Sequence, residues 1–414
     1  MSLAKHAETK QDSLGPSVDE GRTKLQPEKG PALLFFSGGT ALKKFTRTLT
    51  RFTHNSIHIL TPFDSGGSSA TLRSTFGMPA VGDVRSRLLA LADQSLKGNK
   101  EAYALANYRF SVSEDKTKLA PELEELVRGK HKLIESIPSP LKQTIMLQLA
   151  RFNSAMPQDF DLRGASIGNL ILAGSFLLET HNLNDTIALF AELLGVQGEV
   201  RTICDVPYHL AVELKNGECL VGQHQFTGKQ TKAIASPIQR IWLTKSITDT
   251  QPVEAELCRT TKDKIADAAL ICYPPGSFYS SLIANLLPVG VGRAIAESSR
   301  PKVYVPNLGE DPEQFGIDIE TQVDILLHYL NQDHLHNKLS DNSEKSTCQS
   351  FSHNPYLNYV LLDSRMASGL RKGAIERWAE LGIQTISDAL ICPADPQRYD
   401  DEKLCQALLA LSQK

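Results

Sequence analysis

At 414 residues, with 41% apolar and 22% charged residues, the chain has the composition of a soluble globular protein, long enough for one large α/β domain or two smaller ones. A formal net charge of −3 argues against nucleic acid or an anionic membrane as the main partner, and no apolar run approaches the ~18–20 residues of a membrane helix. The seven cysteines are scattered and form no C-x-x-C pair, which argues against a disulfide framework or a zinc ribbon and for a reducing, cytoplasmic setting.

Residues 1–30 are polar and charged and lack the apolar core of a signal peptide, so a disordered N-terminal arm is expected there. Residues 31–414 read as a single domain. The apolar run Ala32–Phe36 is strand-like and ends in Ser37-Gly38-Gly39-Thr40, and a helix follows with Leu42, Phe45 and Leu49 on one face. A second run, Ile57–Leu60, leads into Thr61-Pro62-Phe63-Asp64-Ser65-Gly66-Gly67-Ser68-Ser69, expected to be a loop. Asp83 is placed as the N-cap of a helix carrying Val84, Leu88, Leu91 and Ala92. Residues 100–160 predict an inserted helical segment of two helices, split by Ile137-Pro138-Ser139-Pro140, and residues 162–196 are strongly apolar and helical.

Asn216-Gly217, between Tyr208–Leu214 and Glu218–Gly222, predicts a small β-hairpin elaboration. The α/β pattern resumes with the strand Ala268–Cys272, the loop Tyr273-Pro274-Pro275-Gly276-Ser277, a helix around Leu282–Leu287 and the strand Lys302–Val305. Residues 332–354, rich in Asn, His and Ser, are expected to be a flexible loop. A final strand, Tyr359–Asp363, and two helices close the chain. The expected fold class is α/β and Rossmann-like: a mostly parallel sheet with helices on both faces, a helical insertion and the hairpin.

In such a sheet the loops after the strands emerge on one edge, where small hydrogen-bonding residues and helix N-termini favour phosphate. Three loops qualify: Ser37-Gly38-Gly39-Thr40; Asp64-Ser65-Gly66-Gly67-Ser68-Ser69; and Gly276-Ser277 with Tyr279, Ser280, Ser281 and Asn285. Asp64 could hold magnesium (Mg2+), a sugar hydroxyl or a reacting hydroxyl, and Arg73 could pair with a phosphate. Asp83 is a helix cap or a second metal-facing carboxylate, and Asn169 in Ser166-Ile167-Gly168-Asn169 suits a base or a sugar. Gly290-Val291-Gly292 follows a helix rather than a strand and is rejected as a dinucleotide fingerprint. His334 and His336 read as surface residues, and His58 as packed against the sheet. Ser65, Ser68 and Ser69 have no nameable base, which disfavours serine-hydrolase chemistry.

Taken together, these motifs, with Gly77-Met78-Pro79-Ala80-Val81-Gly82-Asp83-Val84-Arg85 and Leu308-Gly309-Glu310, resemble the 2-phospho-L-lactate transferase and gluconeogenesis-factor-like family (CofD-like) over roughly residues 32–310. One branch moves a phospholactyl group from a guanosine diphosphate-linked donor to a deazaflavin hydroxyl with Mg2+, releasing GMP; the other binds UDP-sugars and regulates metabolism. The resemblance implies nucleotide and phosphate contacts at 37–40, 64–69 and 275–281, a metal or acceptor-hydroxyl contact at Asp64 and a nucleotide contact at Asn169. It implies a nucleotide-linked small-molecule partner and allows a homodimer. The chain departs from the family at Ala41, where Gly is usual, at Ser65, where a second acidic residue is usual, at Ala165, where His is usual, and at Pro274, where Gly is usual.

Overall fold

Leu33, Leu34, Phe35 and Phe36 are all fully buried, and their alternation decides the centre of the molecule. Leu33 and Phe35 join one core with Phe45, Leu49 and Leu408, whereas Leu34 and Phe36 join another with Ile265, Ile283 and Ile295. A strand that is apolar on both faces must lie inside a sheet covered by helices on both sides. The computed structural model describes residues 26–414 apart from 97, 178–180, 229–230 and 334–353. In it, Leu33–Phe36 is β1, paired in parallel with β2 (Ile57–Leu60) on one side and β7 (Leu270–Tyr273) on the other. With β3 (Glu199–Thr202), β8 (Lys302–Tyr304), β9 (Tyr359–Asp363) and β10 (Gln384–Asp388), the sheet runs β10-β9-β8-β7-β1-β2-β3, all parallel. Chain order runs outward in opposite directions from the β1/β7 pair, which is the topological switch point of such a sheet.

A third core belongs to the helical insertion. It holds four helices rather than the expected two, Asn99–Asn107, Lys116–Val127, Lys132–Glu135 and Leu141–Ala155, and packs on Ile167–Phe176 and Leu183–Leu193. Gly174 lets Ile167–Phe176 touch Leu141–Ala155: a Cβ there would lie 2.0 Å from the Gln148 carbonyl oxygen. The Asn216-Gly217 hairpin forms as expected, with Gly217 at φ +86°, between β4 (His209–Leu214) and β5 (Cys219–Val221). A strand the sequence reading did not anticipate, β6 (Ile238–Thr244), completes a three-stranded antiparallel sheet.

Several other expectations are corrected. A helix, Gly67–Phe76, starts where a loop was expected. Val81, not Asp83, is the N-cap of Gly82–Leu91, so Asp83 lies inside the first turn. The turns after β7 are a π-helix, Phe278–Leu282, followed by a 3-10 helix, Ile283–Leu286. β9 is not the last strand: β10 follows, then the hairpin of β11 (Ile391–Cys392) and β12 (Asp395–Tyr399). The C-terminal helices are Ser364–Ser368, Ala374–Glu380 and Asp401–Leu411, three rather than two. Residues 27–29 form a 3-10 turn, and Asn55 Nδ2 donates to Glu28 O and Gly30 O at 3.0 and 2.7 Å, so this end of the expected arm is docked. The rest of the arm, and nearly all of the expected loop 332–354 with His334 and His336, lie outside the described residues. Among the described residues no helix is long and apolar enough to cross a membrane.

His58 does pack in the sheet: it is fully buried, stacked on Phe35 at 5.2 Å, with Nε2 3.2 Å from Ser56 Oγ. Burial, reinforced by Arg87, holds its pKa well below 6.5. His209 is also pushed down, to about 4, by burial and then by Arg73 and His224. In the unfolded chain both protonate from about pH 6.5 downward while the folded protein stays neutral, so unfolding takes up protons and stability falls as pH falls through this window. From His58 alone the expected slope is about 1.4 kcal/mol per pH unit below pH 6. Urea midpoints measured from pH 7 to pH 4.5 check it, and His58→Phe should remove about half of the slope that the two histidines give together.

Candidate functional site

A cleft of about 800 Å³ opens at the carboxyl ends of β1, β2 and β7, and all three expected loops line it. In the first loop, neither Gly38 nor Gly39 sits at positive φ; both are needed for close approach. A Cβ on Gly38 would lie 2.5 Å from Ser281 Oγ, and one on Gly39 2.5 Å from Asp83 Oδ1. Thr40 is exposed at the cleft, but Ser37 is 4% exposed and faces inward, where Arg87 Nη2 lies 3.4 Å from its hydroxyl. Arg87 is fully buried beneath the loop and donates to Gly38 O at 2.6 Å and to the Thr46 hydroxyl. Burial lowers its pKa to about 10 against the opposing charge of Asp83.

After β2, the Asp64 carboxylate lines the cleft and Oδ1 accepts from the Gly66 amide at 3.0 Å. Gly66 caps the helix Gly67–Phe76, whose first amides, at Gly67, Ser68 and Ser69, make no hydrogen bond among the described residues. Asn169, 1% exposed, donates from Nδ2 to Ser68 Oγ at 3.0 Å, while its Oδ1 has no partner among the described residues. Ser65 is instead turned away from the cleft. Its hydroxyl meets His224 Nδ1 at 2.8 Å and the His224 amide at 3.2 Å. With the Gln225 amide donating to His224 Nε2 at 2.9 Å, the ring proton sits on Nδ1 and points at Ser65. No base partner for Ser65 is legible in the sequence; the fold brings His224 to it, and with this tautomer the ring donates to the hydroxyl.

The expectation for Arg73 is corrected. It does not line the cleft; its guanidinium donates to the carbonyls of Phe63, Asp64, Pro207 and Tyr208 at 3.1, 2.9, 3.0 and 2.6 Å. That arginine ties β2 to the entry of β4: both terminal nitrogens are committed to carbonyls, while its Nε has no partner among the described residues. The cations on the β1–β2 side of the cleft are Arg85 and Arg109, which the sequence reading passed over; Arg398 stands on the opposite wall. Arg85 is 8% exposed, its best contact is Nη1 to Ala106 O at 3.5 Å, and its Nε has no partner among the described residues. Burial and then Arg109 lower its pKa to about 10, with Asp83 opposing. Arg109 is exposed, donates to Gly164 O at 3.0 Å and lies 3.5 Å from Ser68 Oγ. A signal for Arg85 did exist: it stands three and four residues before Leu88 and Leu89, on the buried side of its helix.

The third loop differs from what its position suggests. Gly276 and Ser277 line the cleft, but the Gly276 amide donates to Asn307 Oδ1 at 2.7 Å. The amides of Phe278, Tyr279 and Ser280 donate to Asp311 Oδ2 and Glu313 Oε2 at 2.8, 2.9 and 2.7 Å. The protein's own carboxylates therefore occupy the helix start that was expected to receive an anion. Glu310, Gln397 and Arg398 complete this wall, and Gln223 and His224 approach from beyond β5.

Among the described residues there is no group of three or more His, Cys, Asp or Glu side chains that could enclose a metal ion. Asp64 and Asp83 both line the cleft. Such a pair fits Mg2+, which takes one or two carboxylates together with ligand phosphates and water. Asp83 is engaged by Arg85 and Arg87 and wedged on Gly39, which leaves Asp64 as the better ligand.

Residues 33–380 match the family model described as 2-phospho-L-lactate transferase CofD. The chain belongs to the CofD family. It is 29% identical over 388 residues to a putative gluconeogenesis factor of Thermoanaerobacterium thermosulfurigenes, covering 92% of this chain and 97% of that protein. It is 26% identical over 284 residues to a putative gluconeogenesis factor of Clostridium acetobutylicum, covering 69% of this chain and 50% of that one. The crystal structure of a UPF0052 protein from Bacillus halodurans shares the fold, with a TM-score of 0.64 and 22% identity over 92% of this chain and 99% of that chain. The CofD match ends before β11 and β12, so Gln397 and Arg398 reach the cleft from outside the matched segment.

Proposed function

We propose that the cleft binds a nucleoside diphosphate-linked small molecule, with its diphosphate at the first turn of Gly67–Phe76, between Arg85 and Arg109. The observation that carries this reading is Arg85. An arginine that is 8% exposed, with a single 3.5 Å hydrogen bond from its guanidinium, has lost hydration without full replacement, a state that costs several kcal/mol until an anion supplies the missing partners. The amides of Gly67, Ser68 and Ser69 and the helix dipole favour the same charge at the same place. Thr40, Ser68, Ser69 and Asn169 supply further polar contacts around it, and Asp64 would hold Mg2+ against the phosphates.

Within this reading the protein acts as a ligand-binding regulator, the role suggested by the gluconeogenesis-factor names of its relatives, with a UDP-sugar as the favoured ligand class. Ser65 supports it: the residue beside Asp64 is not acidic and is turned toward His224, so one carboxylate stands where a transfer site would use two. A second reading, phospholactyl-type transfer, is favoured by Asp64 itself. There the acceptor hydroxyl, a deazaflavin's for example, attacks the phosphorus distal to the nucleoside. The new O–P bond forms as the phosphoanhydride breaks, Asp64 takes the hydroxyl proton, and a nucleoside monophosphate leaves carrying the electron pair.

The test is a thermal-shift series with GDP, UDP and UDP-N-acetylglucosamine, with and without Mg2+, followed by chromatography of the ligand after incubation with a deazaflavin. Stabilisation by a UDP-sugar, recovered intact, is expected. Release of a nucleoside monophosphate from a guanosine diphosphate-linked phospholactyl donor would replace the regulator with the transferase. No stabilisation by any nucleoside diphosphate would remove both.

A further inference from the structure

The two sides of the cleft are electrically unlike. On the β1–β2 side stand Arg85, Arg109 and the unpaired amides of Gly67, Ser68 and Ser69. On the β7–β8 side the equivalent donors are consumed within the protein, by Asn307, Asp311 and Glu313, which hold the amides of Gly276, Phe278, Tyr279 and Ser280. Glu313 is 1% exposed and also accepts from Ser280 Oγ at 2.5 Å, so this cap is built into the core. Asp311 and the exposed Glu310 bring two carboxylates to the cleft surface here, against one cation, Arg398, in the same wall. That a ligand occupies this cleft is indicated independently by two side chains at least nine-tenths buried that line it with unpartnered atoms, Arg85 Nε and Asn169 Oδ1.

We propose that Glu310 and Asp311 are specificity-determining carboxylates that bar phosphate from the β7–β8 side and receive the hydrogen-bond-donating, non-phosphate half of the ligand there. This rests on the diphosphate reading above. A phosphate beside the third loop would find the amides of Gly276, Phe278, Tyr279 and Ser280 taken, with that of Ser277 left over among the described residues, and would face two carboxylates, where like-charge juxtaposition is strongly unfavourable. A nucleoside or sugar, which carries N–H and O–H donors, meets acceptors instead. The switch-point loop that usually cradles phosphate is thus closed to it by the protein's own anions, and the ligand is fixed in one direction across the sheet edge.

Calorimetric titrations of the full chain at physiological ionic strength, with inorganic pyrophosphate and with UDP as the probes, separate the two claims. Asp311 accepts the Phe278 amide on Oδ2 and the Glu313 amide on Oδ1, at 2.8 and 3.1 Å, so Asp311→Asn sets an NH2 group against one of the two; Glu310→Gln touches no helix cap and carries the test alone if the first variant misfolds. Each should leave pyrophosphate affinity within about twofold, the charges being screened at that distance, while weakening UDP about tenfold through lost charge-assisted hydrogen bonds. Arg85→Met should weaken both. Tighter pyrophosphate binding in Asp311→Asn or Glu310→Gln, by about threefold or more, would show phosphate against this wall and overturn the inference; so would unchanged UDP affinity. Pyrophosphate binding that ignores Arg85→Met would instead overturn the diphosphate site itself.

Discussion

Arg85→Met is expected to weaken ligand binding about a hundredfold without destabilising the unliganded protein. The two effects separate because Arg85 is in the wrong environment for a structural arginine: nearly buried, with one long contact from its terminal nitrogens, whereas Arg73 and Arg87, whose Nε atoms equally lack a partner among the described residues, hold several oxygens at shorter range. Its stem packs against Gly168, where a Cβ would lie 2.8 Å from Arg85 Cδ, and methionine preserves most of that contact. Asp83 loses one positive neighbour but keeps Arg87. Removing a desolvated charge that lacks hydrogen bonds is neutral or stabilising, so the thermal midpoint should hold or rise. Each charge-assisted hydrogen bond from a guanidinium to phosphate contributes about 1.5–3 kcal/mol, so losing the group should weaken a nucleoside diphosphate ligand by about a hundredfold. Arg73→Met is the contrast. Its four carbonyl partners would be left without donors, and the midpoint should fall sharply whatever the ligand does. A ligand-binding loss in Arg73→Met at unchanged stability, with normal binding in Arg85→Met, would reverse the assignment.

The confusion between these two arginines marks where local sequence stops being informative. Both sit in helices that follow sheet-edge loops, and which one enters the cleft depends on how each helix is rotated on the sheet. Two of the carbonyls that capture Arg73, those of Pro207 and Tyr208, lie more than a hundred residues away along the chain. Asp311 and Glu313, which close the third loop, likewise stand more than thirty residues from the amides they hold. No spacing rule reaches such partners. By contrast, β1, the Asn216-Gly217 turn and the position of Asp64 at a strand's carboxyl end follow from short-range pattern, and the sequence shows them directly. β10 escaped notice because Gln384-Thr385-Ile386-Ser387-Asp388 is an edge strand with only Ile386 buried. The helix Gly67–Phe76 escaped because its first residue is a glycine at φ +53° in a Ser-Gly-rich run that reads as loop.

Gly39→Ala should be the most damaging one-carbon change in the cleft. The first loop lies so close to the helix Gly82–Leu91 that an added methyl would stand 2.5 Å from Asp83 Oδ1, 2.9 Å from its Cγ and 2.7 Å from its Cα. The carboxylate can rotate away, but the α-carbon is part of the backbone, so the loop or the helix must move. Overpacking of this kind costs about 1–3 kcal/mol, and here the displaced pieces are the cleft's own walls, with Asp83 pushed off the Arg85 and Arg87 charges. Asp83→Ala therefore should not rescue Gly39→Ala, because the clash with the helix backbone persists. Gly38→Ala makes a useful comparison: its nearest neighbours are Ser281 Oγ at 2.5 Å and Cβ at 3.2 Å, both side-chain atoms, so Ser281→Gly should relieve it. Thermal midpoints and UDP titrations on the four variants and the two double mutants test the distinction. Rescue in the Gly38 pair and none in the Gly39 pair would establish that the glycines are there for backbone approach; rescue of Gly39→Ala by Asp83→Ala would show that the carboxylate alone sets the limit.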